Sequence, residues 1–136
     1  MNRRVTPDDI LTLKENEVFV FPTSLSGKHV NIYAMLAQLR FGARYGKAFG
    51  WQGKTFAIPT VDETMEHRLS VPKIKRYIDK FYEEAERAKG RIFYVAGFDA
   101  GNIGSWPTRT IAPLFKECAK LENIYLPEKI WEHIDE

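Results

Sequence analysis

The hydrophobic pattern of this chain consists of short apolar runs that alternate with longer, helix-like stretches. Four apolar runs predict strands, at residues 17–21, 54–58, 91–96 and 123–126. The clearest helix spans residues 70–89, because its apolar side chains recur at three- and four-residue steps. This order predicts a single α/β domain over residues 1–136, with a mostly parallel, possibly mixed, Rossmann-like sheet and helices on both faces.

The other predicted helices are shorter. Thr6 followed by Pro7 is typical of a helix start, with Thr6 as the N-cap of a helix ending near Lys14. Residues 30–41 are apolar on nearly every side, which predicts a buried helix. Two further helices are predicted at residues 110–120 and 128–134.

Composition narrows the class of protein. The chain has 136 residues, of which 44% are hydrophobic and 28% charged, with a formal charge of +2. This balance is ordinary for a globular protein. The small net charge does not favour a nucleic-acid partner, because nucleic-acid-binding domains are usually strongly basic. The lone cysteine, Cys118, excludes an internal disulfide and is expected to be buried. We see no membrane span or signal peptide, so we expect a cytoplasmic protein without a membrane partner, and a homo-oligomer is conceivable.

The loop after the first strand offers polar groups suited to an anion. Small residues between a buried strand and a helix allow backbone N–H groups to converge on a phosphate. The same hydroxyls also suit a plain turn that caps the following helix. The candidate ligand-binding residues of this loop are Thr23, Ser24, Gly27, Lys28 and Asn31.

A second loop, residues 97–105, follows the third predicted strand and is rich in glycine. Asp99 could accept hydrogen bonds from a ribose hydroxyl or an exocyclic amine, or could simply stabilise the turn. Open α/β sheets bind ligands outside the carboxyl ends of their strands, where both loops should lie. The further candidate ligand-binding residues of this loop are Gly101, Asn102 and Gly104.

A third glycine-containing segment, residues 50–53, could form another wall of the same cleft through Gln52 and Gly53. The aromatic residues Trp51 and Trp106 lie beside glycines and could stack on a base or simply pack, half-exposed. The chain lacks the glycine patterns of dinucleotide-binding and P-loop proteins, so neither class is supported.

Few residues suggest catalysis or metal binding. The three histidines have no partner at a metal-ligand spacing, and we expect neither a metal nor a cofactor. If the protein is an enzyme, Asp99 is the best placed general base and His29 a possible partner. Both are weak candidates, because no second acid or base in the cleft can be identified.

The sequence resembles a family of small bacterial and phage proteins, sometimes labelled phage non-structural proteins. The likeness extends over most of the chain, in the segments 13–21, 25–29, 41–46, 50–60, 111–115 and 123–127. The pattern is also similar to macrodomains, which bind ADP-ribose through glycine-rich loops, and this implies a macrodomain-like fold. The chain departs from the family at the ligand loops, including Pro22 where the family tends to have glycine. A changed ligand or lost binding would follow.

Three functions remain open at this point. The first is a module that binds a nucleotide or an ADP-ribose-like metabolite in a cleft between the loops. The second is a hydrolase acting on such a ligand, and the third is a protein-interaction domain in which the loops are only structural.

Overall fold

A five-stranded mixed sheet forms the centre of the molecule. The computed structural model describes residues 3–29, 31–100 and 105–135. The strands follow the order β2-β3-β1-β4-β5 across the sheet, and all neighbours are parallel except β2 and β3. The predicted α/β class with a mostly parallel sheet is thus confirmed. The strands are β1 Glu17–Ser24, β2 Gly50–Gln52, β3 Thr55–Val61, β4 Ile92–Val95 and β5 Ile124–Tyr125.

The central strand β1 is buried on both faces, which explains why it appears as an unbroken apolar run. Val18 and Val20 face the larger core, which they share with the helix over 71–87 and the C-terminal helices. Phe19 and Phe21 face a smaller core on the opposite side, against the helix over 32–40. Helices therefore cover both faces of the sheet, as the sequence predicts.

Four α-helices are present in the described ranges, and none of them is both long and apolar enough to cross a bilayer. The predicted helix over 110–120 is wrong, because the segment divides into a short α-helix and two 3-10 turns. Pro113 has no N–H to donate and lies in the first of these turns, Ala112–Phe115. The helices are α1 Ile32–Arg40, α2 Val71–Arg87, α3 Thr108–Ile111 and α4 Glu128–His133.

The N-terminal segment forms no helix, contrary to the prediction for residues 6–14. Val5 instead forms a parallel bridge with Leu126, and the Thr6 backbone N–H donates to the Leu126 carbonyl over 3.0 Å. The Thr6 hydroxyl donates to the Val95 carbonyl at 2.8 Å rather than accepting from a helix N-terminus. Pairing beside β5 has replaced the local N-cap preference.

Helix α1 is only partly buried, so its apolar composition was misleading. Ala34 and Ala37 are fully buried against the sheet. Its outer face leaves Ile32 66%, Met35 48% and Leu39 80% exposed. Apolar side chains on every side predict burial on every side, but the fold provides nothing that covers this face within the described residues.

The strand order fixes where a ligand crevice should lie. The chain passes from β1 through α1 to β3 on one side, and then from β3 through α2 to β4 on the other side of β1. The order of the parallel strands therefore reverses between β1 and β4. In sheets of this kind ligands bind outside the carboxyl ends of the two strands at such a point.

Candidate functional site

A cavity of about 250 Å³ opens outside the carboxyl end of β4, next to this switch point. Its walls come from the N-terminal segment, helix α1, the loop after β4 and the start of α4. We call it the acidic cavity and define it by the six side chains that shape its chemistry, which are Thr6, Asp8, Tyr33, Asp99, Glu128 and Glu132.

Gly97 brings Tyr33 into the wall of this cavity. Its backbone has φ +90°, a left-handed conformation that favours glycine. A Cβ atom at this position would lie 2.8 Å from the Tyr33 ring and 2.9 Å from Pro22 Cδ. The glycine therefore allows α1, β1 and the loop after β4 to meet tightly, and the Tyr33 ring fills space that a backbone turn would otherwise leave open.

Acceptors dominate the cavity lining. Four carboxylates, on Asp8, Asp99, Glu128 and Glu132, face a single ammonium group on Lys129. Such an arrangement attracts hydrogen-bond donors and cations and repels a phosphate. Among the described residues, no three His, Cys, Asp or Glu side chains are grouped in a way that could hold a metal ion.

Tyr33 contributes a hydroxyl that keeps its proton. Burial, and next the nearby charge of Asp99, raise the pKa of Tyr33 above its ordinary value of 10.0. A neutral phenol can both donate and accept a hydrogen bond. The Thr6 hydroxyl already donates to the Val95 carbonyl, so towards the cavity it offers lone pairs. The backbone of Asp99 is anchored by the Thr108 hydroxyl, which donates to its carbonyl at 3.1 Å.

The hydroxyls of Ser24 and Ser26 form hydrogen bonds within the first loop. Thr23 and Ser24 belong to β1, which extends three residues beyond the predicted strand. Ser24 Oγ and Ser26 Oγ are 2.7 Å apart, and the Lys28 backbone N–H donates to Ser26 Oγ. The Lys28 residue is exposed. Thr23 Oγ1 is buried without a hydrogen-bond partner in the described part of the chain.

Asn31 shapes the start of α1. Its side-chain oxygen accepts from the Ala34 N–H at 2.8 Å, and its side-chain nitrogen donates to the Pro22 carbonyl at 2.9 Å. The cap of this helix is therefore the asparagine and not one of the loop hydroxyls. Because both polar atoms are engaged, Asn31 fixes the backbone beside the switch point.

Gly27 allows two stretches of backbone to touch. A Cβ atom there would lie 2.3 Å from the Gly46 carbonyl carbon, and the Gly46 N–H donates to the Gly27 carbonyl. The close approach expected of a ligand at Gly27 is therefore made by the chain itself.

The prediction that the segment 50–53 forms a wall of the cleft is wrong. It contains edge strand β2 and its turn into β3, and this turn lies at the amino ends of the parallel strands, opposite Asp99. Gln52 accepts from the Arg44 N–H and donates to the Lys47 carbonyl. Gly53 packs against the end of α1, where a Cβ atom would lie 2.9 Å from the Phe41 carbonyl oxygen.

The predicted acid–base pair is not assembled in the described structure. His29 is buried, with its ring edge-on to those of Phe21 and Tyr45, and its Nδ1 lies 2.8 Å from Gln38 Oε1. Asp99 lies apart, beside Tyr33. His29 Nε2 is buried without a partner among the described residues. The three other predicted ligand residues, Gly101, Asn102 and Gly104, lie outside the described residues.

Two aromatic candidates and the cysteine have structural roles. The Trp51 indole donates to Glu84 and packs on Phe56 and Phe93. The Trp106 indole donates to the Leu69 carbonyl at 2.7 Å. Cys118 is 1% exposed, and burial, then the charge of Asp79, raises its pKa to about 12, so the thiol is inert, as expected.

The sequence predicts Asp99 as a site residue, but it does not predict most of the cavity lining. Thr6 and Asp8 had been assigned to a helix start, and Glu128 and Glu132 to an ordinary terminal helix. A signal was present for Tyr33, which is the polar aromatic residue nearest the start of α1. No family model, no curated protein and no solved structure matches the chain.

Proposed function

We propose that this protein binds a nucleoside-containing metabolite, such as a nucleotide or an ADP-ribose-like molecule, with the nucleoside end in the acidic cavity. The observation that supports the proposal most strongly is the position of Asp99 and Tyr33 beside the switch point between β1 and β4. Sugar hydroxyls and an exocyclic amine are donors, and they match a lining rich in acceptors.

The size of the cavity favours one end of such a ligand. Small-molecule sites usually measure about 300–1,000 Å³. The observed volume of about 250 Å³ lies just below that range and suits a nucleoside rather than a whole dinucleotide. The carboxylates disfavour a phosphate inside the cavity, so any phosphate would lie outside it. The resemblance of the sequence pattern to macrodomains, an analogy at the level of the fold, implies the same ligand class.

Calorimetric titration with adenosine and with ADP-ribose tests this proposal. Asp99→Asn keeps the side-chain shape but removes the charged acceptor, so adenosine affinity should fall about tenfold or more. Glu83→Gln, which likewise replaces a carboxylate by an amide but at an exposed position on α2, is the control and should leave binding unchanged. No heat from either compound at millimolar concentration, or equal binding by the Asp99 variant, would contradict the proposal.

A second candidate function is that of an interaction domain, and the outer face of α1 favours it. Ile32, Met35 and Leu39 form an exposed apolar stripe on a helix without a carboxylate. Arg40 and Arg44 lie at its C-terminal end. This charge pattern fits an amphipathic partner segment that carries carboxylates beside its apolar side chains.

The stripe can be tested without touching the cavity. Met35→Glu together with Leu39→Glu should abolish capture of an acidic amphipathic peptide, while adenosine binding stays unchanged. The control Lys73→Glu together with Lys80→Glu places two carboxylates on exposed positions of α2, away from the stripe. Failure of the unmodified protein to bind any such peptide would remove this second candidate.

A further inference from the structure

A basic groove of about 540 Å³ lies on the other side of α4 from the acidic cavity. Its lining brings together the N-terminal segment, Lys116, the 3-10 turn over 118–120, and α4 with the residues that follow it. We define the basic groove by the residues Arg3, Arg4, Lys116, Lys120, Trp131 and Asp135. Four cationic side chains thus share one groove with a single carboxylate, although the whole chain has a formal charge of only +2.

An aromatic ring is fixed within this groove. The Trp131 indole N–H donates to the Arg4 backbone carbonyl at 3.0 Å, which holds the ring half-buried. The guanidinium carbons of Arg3 and Arg4 each lie 5.9 Å from the ring centroid, within cation–π range. A held indole beside cations provides a surface on which a nucleobase can stack.

Arg4 builds the groove, whereas Arg3 is available to a ligand. The Arg4 guanidinium donates to the carbonyls of Ala119 at 2.7 Å and Ile124 at 3.2 Å, which joins the N-terminal segment to the turn over 118–120. The Arg3 residue is exposed. Arg4 therefore fixes the N-terminal side of the groove, and the side chain of Arg3 can turn towards an anion.

The two lysines have only weak acidic partners. Lys116 Nζ lies 3.7 Å from Asp135, and Lys120 Nζ lies 3.2 Å from Glu117, with all four side chains more than half exposed. Exposed pairs of this kind contribute little to stability, because water screens the two charges. A phosphate, with several strong acceptor oxygens, can readily replace the carboxylates.

We propose that the basic groove is a binding site for a nucleoside phosphate, with the base stacked on Trp131 and the phosphates held by Lys116, Lys120 and Arg3. Its volume falls within the usual range for small-molecule sites. The site is separate from the acidic cavity and does not depend on the function proposed there. The ligand chemistry could come from a free nucleotide or from the nucleotides of a single strand.

Calorimetric titration of the full chain with ADP at low salt tests the groove, and all variants carry Asp99→Asn so that nucleoside binding at the acidic cavity is weakened. Lys116→Gln combined with Lys120→Gln removes two charged donors from exposed positions, so the fold should be unaffected. We expect ADP affinity to fall about tenfold or more. The matched control, Lys73→Gln with Lys80→Gln, removes two exposed lysines from α2 and should leave ADP binding unchanged.

Further titrations distinguish the contribution of the base from that of the phosphates, and binding at the groove from binding at the cavity. Pyrophosphate should bind more weakly than ADP, because it lacks the base, and Trp131→Phe should keep part of the stacking. Asp99→Asn should leave ADP affinity at the groove unchanged, so the two proposals can fail separately. A single-stranded oligoadenylate that binds more tightly than ADP, and loses affinity in the same lysine variant, would identify a strand as the source.

Three results would overturn the groove proposal. They are no ADP binding at millimolar concentration in low salt, ADP binding that the double lysine variant leaves unchanged, and binding lost equally in the control variant. Raising the salt concentration should weaken genuine binding, because the contacts are exposed and ionic.

Discussion

The acidic cavity and the basic groove lie on two sides of the same short helix, yet their chemistry is opposite. The cavity is lined by Asp8, Asp99, Glu128 and Glu132, with Lys129 as its one ammonium group. The groove collects four cations against one carboxylate. Helix α4 contributes Glu128 and Glu132 to the first site and Trp131 to the second, so helical spacing alone separates the two.

The difference shows how little the overall charge of a small protein says about its surface. A formal charge of +2 describes neither site. The N-terminal segment separates charges in the same way, since Arg3 and Arg4 line the groove while Thr6 and Asp8 line the cavity. Its pairing with Leu126 places both ends of this short segment.

The largest expected effect is on the cavity wall. Gly97→Ala places a Cβ atom 2.8 Å from Tyr33 on a backbone with φ +90°. Strain and overpacking together should lower the free energy of unfolding by roughly 2–5 kcal/mol. Gly90→Ala, where a Cβ atom meets nothing within 4 Å, should change it by less than about 0.5 kcal/mol. Urea unfolding of both variants measures this, and equal stabilities would show that the close contact is absent.

The next largest effect on stability should distinguish Arg4 from Arg3 in the basic groove. Arg4→Met removes donors to the Ala119 and Ile124 carbonyls and should lower stability by about 1–3 kcal/mol. Arg3→Met should leave stability within about 0.5 kcal/mol of the unmodified protein. Thermal unfolding compares them. An equal loss in both variants would mean that Arg4 has no special structural role.

Glu17, which lies away from both sites, should contribute about 1–2 kcal/mol to the free energy of unfolding, and this contribution should depend on pH. Burial raises the pKa of Glu17, but hydrogen bonds from the Lys14 N–H and the Tyr94 hydroxyl lower it, so that the net pKa lies below its ordinary value of 4.5. Its contribution to stability is therefore complete above about pH 4.5 and disappears as the pH falls through the lowered pKa.

Glu17→Gln tests this contribution. The variant should be less stable at neutral pH, and the difference from the unmodified protein should shrink on acidification below about pH 4.5. Glu15→Gln, at an exposed position two residues away, is the control. Urea unfolding at several pH values gives the profile, and a difference that stays constant down to pH 3 would contradict the assignment. Ligand binding at both sites should remain unchanged.

The smallest expected change is a fall in the pKa of Tyr33 when the neighbouring Asp99 is replaced. Asp99→Asn removes the lesser of the two causes that raise the pKa of Tyr33, so the value should fall but stay above 10.0, because burial remains. Carbon-13 NMR titration of the tyrosine rings measures it. Glu83→Gln should leave it unchanged, and an unaltered Tyr33 pKa in the Asp99 variant would place the two groups too far apart to share a ligand.

Strands β1 and β3 were predictable because they are buried on both faces and therefore appear as apolar runs. The short edge strand β2, which is only partly buried at two of its three residues, was not predicted. The conformation of the N-terminal segment was not predictable, since the preference of Thr6 for an N-cap is local and a long-range pairing with Leu126 overrides it. The exposed stripe of α1 was missed for a related reason. Composition shows that Leu39 is apolar, but not whether another element covers it.

The candidate site was predictable only in part. Asp99 follows a recognisable strand, so its position at the carboxyl edge could be inferred. Gln52 and Gly53 were assigned to the wrong edge because β2 runs antiparallel to β3, a reversal that the sequence pattern does not reveal. The groove was missed because Arg4, Lys116 and Trp131 are distant along the chain and only the tertiary fold brings them together.

Nitrogen-15 NMR mapping with adenosine tests whether a nucleoside binds in the acidic cavity. We predict that the largest amide shifts occur at Tyr33, Gly97 and Asp99, with smaller shifts at the start of α4. Shifts confined to Lys116, Lys120 and Trp131, or no shifts at millimolar adenosine, would contradict the claim.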